Sequence, residues 1–419
     1  MKRRHGTTGP PLADSGISTT GGLSAPTRCT GTVLPILASL ILIAFPMDAG
    51  NASGDGSVRT LAGTGGKGRS GDAGSATLAR LDNPFGVTRG PDGALYVVEF
   101  DGNVVRRIGS DGVITTVAGS GKKGGLGDGG PALEAQFDQP HEIRFGPDGS
   151  MYLADMSNHR IRRVDSRSGI VTTVAGTGHP GFSGDGEAAT RAALHNPISI
   201  QFDAAGNLFI CDIGNHRVRR VDALSGRIET FAGSGKGGTT DDGTPYSTAP
   251  FNGPRTLDFD AEGNLWLALR EANQVWKLDR RTGKALHVAG TGAKGMTGNG
   301  GPARLATLSG PKGIAVGPEG RVFVADTENH VIRVIDPASG RIEGLVGDGI
   351  RGDGPEGPAR GCRLARPHGV FADRNGNLYV GDSENHRVRE VHPVAKSDSS
   401  TAPFDRPDAR IREAQSPSK

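Results

Sequence analysis

A unit of about 57 residues repeats six times between residues 83 and 391 of this 419-residue chain. Each copy opens with a proline, and successive prolines lie 56 or 57 residues apart: Pro84, Pro140, Pro197, Pro254, Pro311 and Pro367. A spacing this regular indicates one supersecondary module copied six times. A residue type found in every copy is expected to serve the scaffold. A specific site is therefore expected where the copies differ.

Within one copy, apolar and polar residues alternate with a period of two. In the second copy this pattern predicts strands over residues 141–145, 151–155, 160–164 and 170–174, joined by tight turns. One small four-stranded sheet cannot bury both of its faces, whereas six sheets arranged around an axis cover one another. The predicted fold is therefore all-β, a six-bladed propeller.

The ends of the repeat predict how the ring closes. Each fourth strand ends in a sequence similar to Ala-Gly-Thr-Gly. The first of these, at residues 61–65, precedes the first copy, and none follows the last. An open array would need no such offset. Residues 58–62 are therefore predicted to supply the fourth strand of the sixth blade.

The chain ends and the composition predict three regions. Residues 1–52 contain an apolar run at 33–47, which indicates a signal peptide or, alternatively, an uncleaved membrane anchor. Residues 53–392 are predicted to form the propeller, and residues 393–419 a disordered tail. Export to the periplasm or the extracellular space is expected, with membrane contact only if the leader is an anchor. The net charge of +3 gives no reason to expect nucleic-acid binding.

Four copies share one segment at the start of the third strand. It reads SNHRIRRVD, GNHRVRRVD, ENHVIRVID and ENHRVREVH. These segments resemble the NHL repeat, and the resemblance covers residues 58–391. It implies a six-bladed β-propeller closed by its N-terminal strand, and the long inter-blade loops look most like those of exported bacterial members. NHL propellers include protein-binding, RNA-binding and sensor modules and one enzyme class, the peptidylglycine amidating lyases, so the fold leaves function open.

The same segments place a histidine four residues after an aspartate. The pairs are Asp155 with His159, Asp212 with His216, Asp326 with His330, and Asp382 with His386. A catalytic or metal site does not need four copies around a ring. The pairs are therefore predicted to be structural, with the aspartate accepting hydrogen bonds from the histidine and from backbone N–H groups.

In five copies an acidic or amide residue precedes the opening proline by twelve residues. These residues are Asp72, Asp128, Asp185, Asp242 and Asn299. A calcium loop offers several carboxylates at alternating positions, whereas each of these loops has about one. The side chains are therefore predicted to stabilise their own turns.

The residue after each opening proline starts an innermost strand, so six such residues are predicted to ring one mouth of the central channel. They are Phe85, His141, Ile198, Arg255, Lys312 and His368. The four basic residues of this ring predict a cationic pocket for a carboxylate or another anionic group. The alternative is a set of solvated side chains at a channel entrance.

The resemblance implies a second use for two of these residues. Histidines in Pro-His steps bind zinc in the amidating lyases, and His141 and His368 stand in similar steps. Two histidines do not complete a catalytic zinc site. Glu142 is expected to point away from His141 because residues alternate along a strand. No cofactor is therefore expected, with zinc or calcium at the two histidines as the alternative.

The fourth copy departs most from the others and contains both tryptophans. Trp266 takes the place of a tyrosine or phenylalanine and is predicted to be core. Trp276 takes the place of Arg162, and the alternative to a scaffold role for it is the hypothesis of an exposed binding aromatic. The predicted function is an exported, non-catalytic binding scaffold for protein, peptide or cell-surface ligands. The alternative is a metal-dependent lyase or lactonase-like enzyme at the channel mouth. The oligomeric state stays open.

Overall fold

Alternation of apolar and polar residues folds each repeat into one antiparallel sheet. In the computed structural model, which describes residues 56–392, the second repeat forms the strands Pro140–Phe145, Met151–Asp155, Arg160–Val164 and Val171–Ala175. They are hydrogen-bonded in that order. Each predicted bound is within one residue of the observed one. The predicted leader (1–52) and tail (393–419) lie outside the described residues.

The other five blades repeat this order, from a first, innermost strand to a fourth, outermost strand. Blade 1 contains Pro84–Arg89, Leu95–Glu99, Val104–Ile108 and Val113–Ala118. Blade 3 contains Pro197–Phe202, Leu208–Asp212, Arg217–Val221 and Ile228–Ala232. Blade 4 contains Pro254–Phe259, Leu265–Leu269, Gln274–Asp279 and Lys284–Ala289.

Blades 5 and 6 complete the ring. Blade 5 contains Gly313–Val316, Val322–Asp326, Val331–Asp336 and Arg341–Val346. Blade 6 contains Pro367–Ala372, Leu378–Asp382, Arg387–His392 and Ser57–Ala62. Blades 1, 5 and 6 also carry a two-residue strand beside the fourth strand: Gly74–Ser75, Gly301–Pro302 and Gly357–Pro358.

Helical structure in the described residues is confined to short 3-10 turns. Five lie in the loops between blades: Ala76–Leu78, Ala132–Glu134, Ala189–Arg191, Ala303–Leu305 and Ala359–Gly361. Four join second and third strands: Met156–Asn158, Ile213–Asn215, Thr327–Asn329 and Ser383–Asn385. The tenth is Pro318–Gly320. Between residues 56 and 392 no helix is long and apolar enough to cross a membrane.

The ring is closed by the N-terminal strand, as the offset of the repeat predicts. Ser57–Ala62 runs antiparallel to the third strand of blade 6, with Val58 opposite Val391. The Arg389 guanidinium adds a 2.7 Å hydrogen bond to the Thr60 hydroxyl. The first and last parts of the described chain therefore share one sheet, which confirms the predicted closure.

Apolar residues in the middle of the first strands form the packing between blades. Each is at most 3% exposed, and they are Val87, Ile143, Ile200, Leu257, Ile314 and Val370. Burying a side chain of this size contributes roughly 1.5–3 kcal/mol. Because each contact joins neighbouring blades, this ring of residues stabilises the assembly rather than any single sheet.

Five blades also bury one arginine from the third strand. These are Arg106, Arg162, Arg219, Arg333 and Arg389. In blade 2, Arg162 lies 3.3 Å from Asp155, at the end of the second strand, and 3.0 Å from Asp128, in the loop before the blade. Asp128 also accepts a hydrogen bond from Thr173 on the fourth strand. Arg162 and Asp128 together therefore connect the loop to three strands of this blade.

These contacts correct the prediction for the loop side chains. The arginine of the following blade is also the partner of Asp72, Asp185 and Asn299. The side chains connect the loops to the blades instead of stabilising their own turns. The prediction missed this because the partners lie 34 residues apart in the sequence.

Blade 4 replaces this polar connection with an apolar one. Leu269 stands in the position of Asp155, and Trp276 stands in the position of Arg162 and is only 1% exposed. Asp242, the loop residue of this blade, forms a salt bridge with Arg304 instead. The hypothesis that Trp276 is an exposed binding aromatic is therefore wrong, because its ring fills the space of the buried arginine. Trp266 is buried as predicted.

Removing the inner carboxylate of one buried pair should destabilise the fold strongly. Asp155→Leu leaves Arg162 buried with only its loop partner, and losing one member of such a pair costs about 3–5 kcal/mol. The double variant Asp155→Leu/Arg162→Trp copies the residues of blade 4 and should recover part of this loss. Denaturant unfolding followed by circular dichroism measures both effects.

The matched control is Arg107→Gln, which removes a partly exposed salt bridge to Asp92. Such pairs contribute about 0–1 kcal/mol. Equal destabilisation by Asp155→Leu and Arg107→Gln would contradict the structural role given to the buried pair.

Candidate functional site

The six residues that follow the opening prolines meet at one end of the central channel, here called the channel mouth. They are Phe85, His141, Ile198, Arg255, Lys312 and His368, and each is buried or half-buried. The first strands line the channel because they pack against one another around the ring. The structure thus brings together residues that lie up to 283 positions apart in the sequence.

The backbone before each proline has the same conformation in all blades. The preceding residue has a positive φ between 48° and 70°. In blades 1, 3 and 6 its N–H donates to the Nδ1 atom of a motif histidine in the previous blade: Asn83 to His386, Asn196 to His159, and Arg366 to His330. In blades 1 and 4 an asparagine replaces the motif histidine. The Oδ1 atom of Asn103 accepts from the Gln139 N–H, and that of Asn273 accepts from the Gly310 N–H.

The repeated aspartates have a different task from the repeated histidines. Asp155 accepts hydrogen bonds from the Asp138 backbone N–H and from the Asn158 side chain, and Asp212, Asp326 and Asp382 have equivalent donors. Within residues 56–392 no hydrogen bond joins the aspartate and histidine of one motif. That part of the prediction is wrong, because the histidine faces the next blade. His216 is the exception, since its Nδ1 atom has no described partner.

Aromatic stacking orders one side of the channel mouth. Phe85 stacks on His368 with 3.8 Å between ring centroids and meets His141 edge-on at 5.0 Å. Phe100, which follows the second strand of blade 1, also stacks on Phe85, with 4.2 Å between the ring centroids. The two histidines therefore flank one phenylalanine.

Both imidazoles present their Nε2 atoms to cationic side chains. The Nε2 atom of His141 lies 2.6 Å from Arg255 Nη2, and the Nε2 atom of His368 lies 3.3 Å from Lys312 Nζ. The Nδ1 atom of His368 lies 2.9 Å from the Arg366 carbonyl oxygen and 3.0 Å from the Ser383 hydroxyl. This pattern fits a neutral ring that carries its proton on Nδ1 and accepts at Nε2.

Burial is the main cause of the pKa shifts at the channel mouth. It holds the pKa of His141 and of His368 well below 6.5, and the charges of Arg255 and Lys312 lower both further. Burial also lowers the pKa of Lys312 to about 8 and that of Arg255 to about 10. At neutral pH the channel mouth thus combines two neutral imidazoles with two cations.

The two cations differ in their counter-charges. The Nζ atom of Lys312 is 2.9 Å from Glu328, which also binds Arg366. Arg255 makes no salt bridge with any carboxylate in the described residues, and its Nε atom has no hydrogen-bond partner there. Of the two cations at the channel mouth, Arg255 is therefore the one without a salt bridge among residues 56–392.

The histidines do not fit a catalytic metal site. Their accepting nitrogen atoms face Arg255 and Lys312, and a dication between these groups would be repelled by both. Glu142 pairs with Arg144 rather than with either histidine. No group of three or more histidine, cysteine, aspartate or glutamate side chains suited to a metal occurs between residues 56 and 392.

Sequence reasoning missed the second set of residues at the channel mouth. Each directly follows the residue that ends a second strand, as Phe100 and Ser383 do. Like the first set, this set differs from copy to copy: Phe100, Met156, Ile213, Arg270, Thr327 and Ser383. That variability at a fixed repeat position is the signal by which they could have been found.

Blade number, strand order and closure define the class of this protein as a six-bladed β-propeller. The sequence profile of the NHL repeat matches residues 308–335 and 364–390, and the profile of the teneurin NHL domain matches residues 60–126. The chain therefore contains NHL repeats, in agreement with the motif resemblance.

Two curated relatives match this chain over part of their own length. Protein SUPPRESSOR OF QUENCHING 1, chloroplastic, of Arabidopsis thaliana is 27% identical over 289 residues, which cover 66% of this chain and 27% of that protein. NHL repeat-containing protein 2 of Homo sapiens is 28% identical over 278 residues, which cover 59% of this chain and 37% of that protein. In each case the match spans well under half of the relative's length.

Solved structures support the fold. A protein of unknown function from Bacteroides thetaiotaomicron superposes with a TM-score of 0.61 at 17% identity, covering 80% of this chain and 76% of that one. At this level of identity the likeness concerns the propeller alone.

The two channel-mouth histidines should remain neutral at pH values where a free imidazole is protonated. Burial and the adjacent cations penalise the charged ring, so neither ring should titrate near 6.5. Long-range ¹H–¹⁵N NMR from pH 7.5 to 5 should show His368 protonated on Nδ1 alone, with His141→Gln and His368→Gln assigning the signals. Protonation of either ring near pH 6.5 would contradict the geometry.

Proposed function

We propose that this protein is a non-catalytic binding scaffold whose channel mouth binds a carboxylate group of a protein or peptide ligand. The observation that carries the proposal is Arg255, a half-buried guanidinium without a carboxylate partner in the described residues. A charge in such a place is stabilised by a counter-ion that the ligand would bring.

The chemistry of the channel mouth suits a carboxylate. A guanidinium offers a planar fork of donors that matches the two oxygens of a carboxylate, and such charge-assisted bonds are stronger than neutral ones. His141 engages one Nη atom of Arg255 and leaves other donors free. Lys312 adds a second positive charge, and Phe85 with Phe100 supplies an apolar wall for the rest of the ligand.

Binding is favoured over catalysis because the candidate acid–base groups are already engaged. The Nε2 atoms of His141 and His368 accept from cations, so neither is free to take a proton from a substrate. Export, inferred from the apolar run at residues 33–47, would place the ligand outside the cytoplasm. The proposed ligand is accordingly a peptide or protein of the envelope or the extracellular space.

Loss of the Arg255 charge should weaken binding of a carboxylate probe. The probe is acetyl-Ala-Ala with a free C-terminus, and the same dipeptide with a C-terminal amide tests the need for charge. Hydrogen bonds to a charged group contribute about 1.5–3 kcal/mol, so Arg255→Gln should weaken the acid about tenfold or more. Isothermal titration calorimetry or NMR line broadening measures the affinities.

Arg107→Gln, on an outer strand of blade 1, is the matched control and should leave the affinity unchanged. Equal affinity for acid and amide, or no effect of Arg255→Gln, would reject the carboxylate site.

The affinity for the same probe should fall between pH 7 and pH 9. The pKa of Lys312 is about 8, so this side chain is charged below that pH and becomes neutral above it. Arg255, with a pKa of about 10, keeps its charge over this range. Lys312→Met should bind more weakly at pH 7 and show a flat profile. A wild-type profile that is itself flat from pH 7 to 9 would contradict the role given to Lys312.

A further inference from the structure

A cavity of about 420 Å³ lies between blades 3 and 4, at the ends of the first strands opposite to the channel mouth. Its size falls within the range of roughly 300–1,000 Å³ that is usual for small-molecule sites. The floor is aromatic: Phe209 meets Phe231 and Phe259 edge-on, with ring centroids 4.9 and 5.0 Å apart. Leu265 and Leu278 complete the apolar surface.

The corresponding place between blades 1 and 2 is a smaller cavity of about 290 Å³, and polar contacts cross its entrance. There Tyr96 occupies the position of Phe209, and its hydroxyl donates to Asp92 in the turn after the first strand. Arg107, directly opposite Tyr96 on the third strand, donates to the same carboxylate at 2.7 Å. In blade 2, Arg163 likewise lies across from Tyr152 and binds Asp148.

Blade 3 lacks both polar partners. Ala205 stands where blades 1 and 2 have the turn aspartate, and Phe209 has no hydroxyl. Arg220, which lies opposite Phe209, turns to Asp222 and Glu229 instead. Two substitutions in one blade thus remove these polar contacts, and the cavity is larger there. Its partly exposed rings are Phe231 and Phe259, with Phe209 buried beneath them.

The rim of the cavity offers one cation that has no carboxylate partner. Arg280 is exposed and forms no salt bridge or side-chain hydrogen bond within the described chain. The carboxylates of the rim are engaged, since Asp203 accepts from Asn207 and Asp260 pairs with Lys277. Arg280 is therefore the cation at the rim that remains available to a ligand, with the hydrogen-bonded carboxylate of Asp203 on the same rim and an apolar floor below.

We infer that this cavity is a second binding site, for a small aromatic molecule that carries a carboxylate. The ring would lie on the phenylalanine floor, where edge-to-face contacts add to apolar burial. The carboxylate would pair with Arg280 at the rim. This site is independent of the channel mouth.

Three probes separate the contributions of ring and charge: 3-phenylpropanoate, its uncharged amide, and butanoate, which lacks the ring. Calorimetry or ligand-observed NMR on the propeller protein should show 3-phenylpropanoate binding at least about tenfold more tightly than the other two. Ala205→Asp/Phe209→Tyr restores the residues of blades 1 and 2 and should reduce this affinity at least about tenfold without lowering the unfolding temperature. Arg280→Gln should remove the preference for acid over amide.

Two controls test the location of the site. Arg281→Gln changes a neighbouring exposed arginine outside the cavity, and Arg255→Gln changes the channel mouth; both should leave the affinity unchanged. The inference is overturned by the absence of saturable binding at millimolar concentration, by unchanged affinity in Ala205→Asp/Phe209→Tyr, or by equal affinity for acid and amide. An effect of Arg255→Gln equal to that of Arg280→Gln would overturn it too, because binding would then belong to the channel mouth.

Discussion

Closure of the ring is the constraint on which the blades and the channel mouth both depend. The strand Ser57–Ala62 completes blade 6, so the two ends of the described chain are held in one sheet. Across this seam Phe85 stacks on His368, and the Ser383 hydroxyl donates to the Pro84 carbonyl oxygen at 2.7 Å. The candidate site is therefore complete only when blades 1 and 6 are joined. Its geometry depends on the integrity of the whole ring rather than on one blade.

The fold could be predicted almost fully because its information is local and repeated. Alternation of apolar residues identified the strands of the second repeat to within one residue, and the offset of the last strand predicted closure. The channel mouth could be located for the same reason, since a proline marks the start of each first strand. Charge balance there could not be predicted, because Glu328 pairs with both Lys312 and Arg366, which come from different parts of the sequence.

The wrong predictions for the loop side chains and for Trp276 share one cause. These residues act in sets, whereas each prediction considered one residue alone. A buried arginine such as Arg162 needs a carboxylate 7 residues earlier and another 34 residues earlier. In blade 4 the same spacing connects Trp276 to Leu269 and Asp242, so the exchange of arginine for tryptophan accompanies the loss of the inner carboxylate. Considered as a set, these positions indicate an apolar substitute for a buried ion pair. Considered alone, Trp276 resembles a surface aromatic.

The same physical rule separates scaffold from candidate site. A charge removed from water requires a partner, and five blades supply a carboxylate from their own second strand for the buried arginine. Arg255 forms no such salt bridge within residues 56–392 and contacts neutral His141, and burial, with the nearby charge of Arg270, lowers its pKa to about 10. An arrangement that leaves such a charge without a salt bridge does not stabilise the free protein. The proposed ligand would supply the negative charge that the fold does not place beside Arg255.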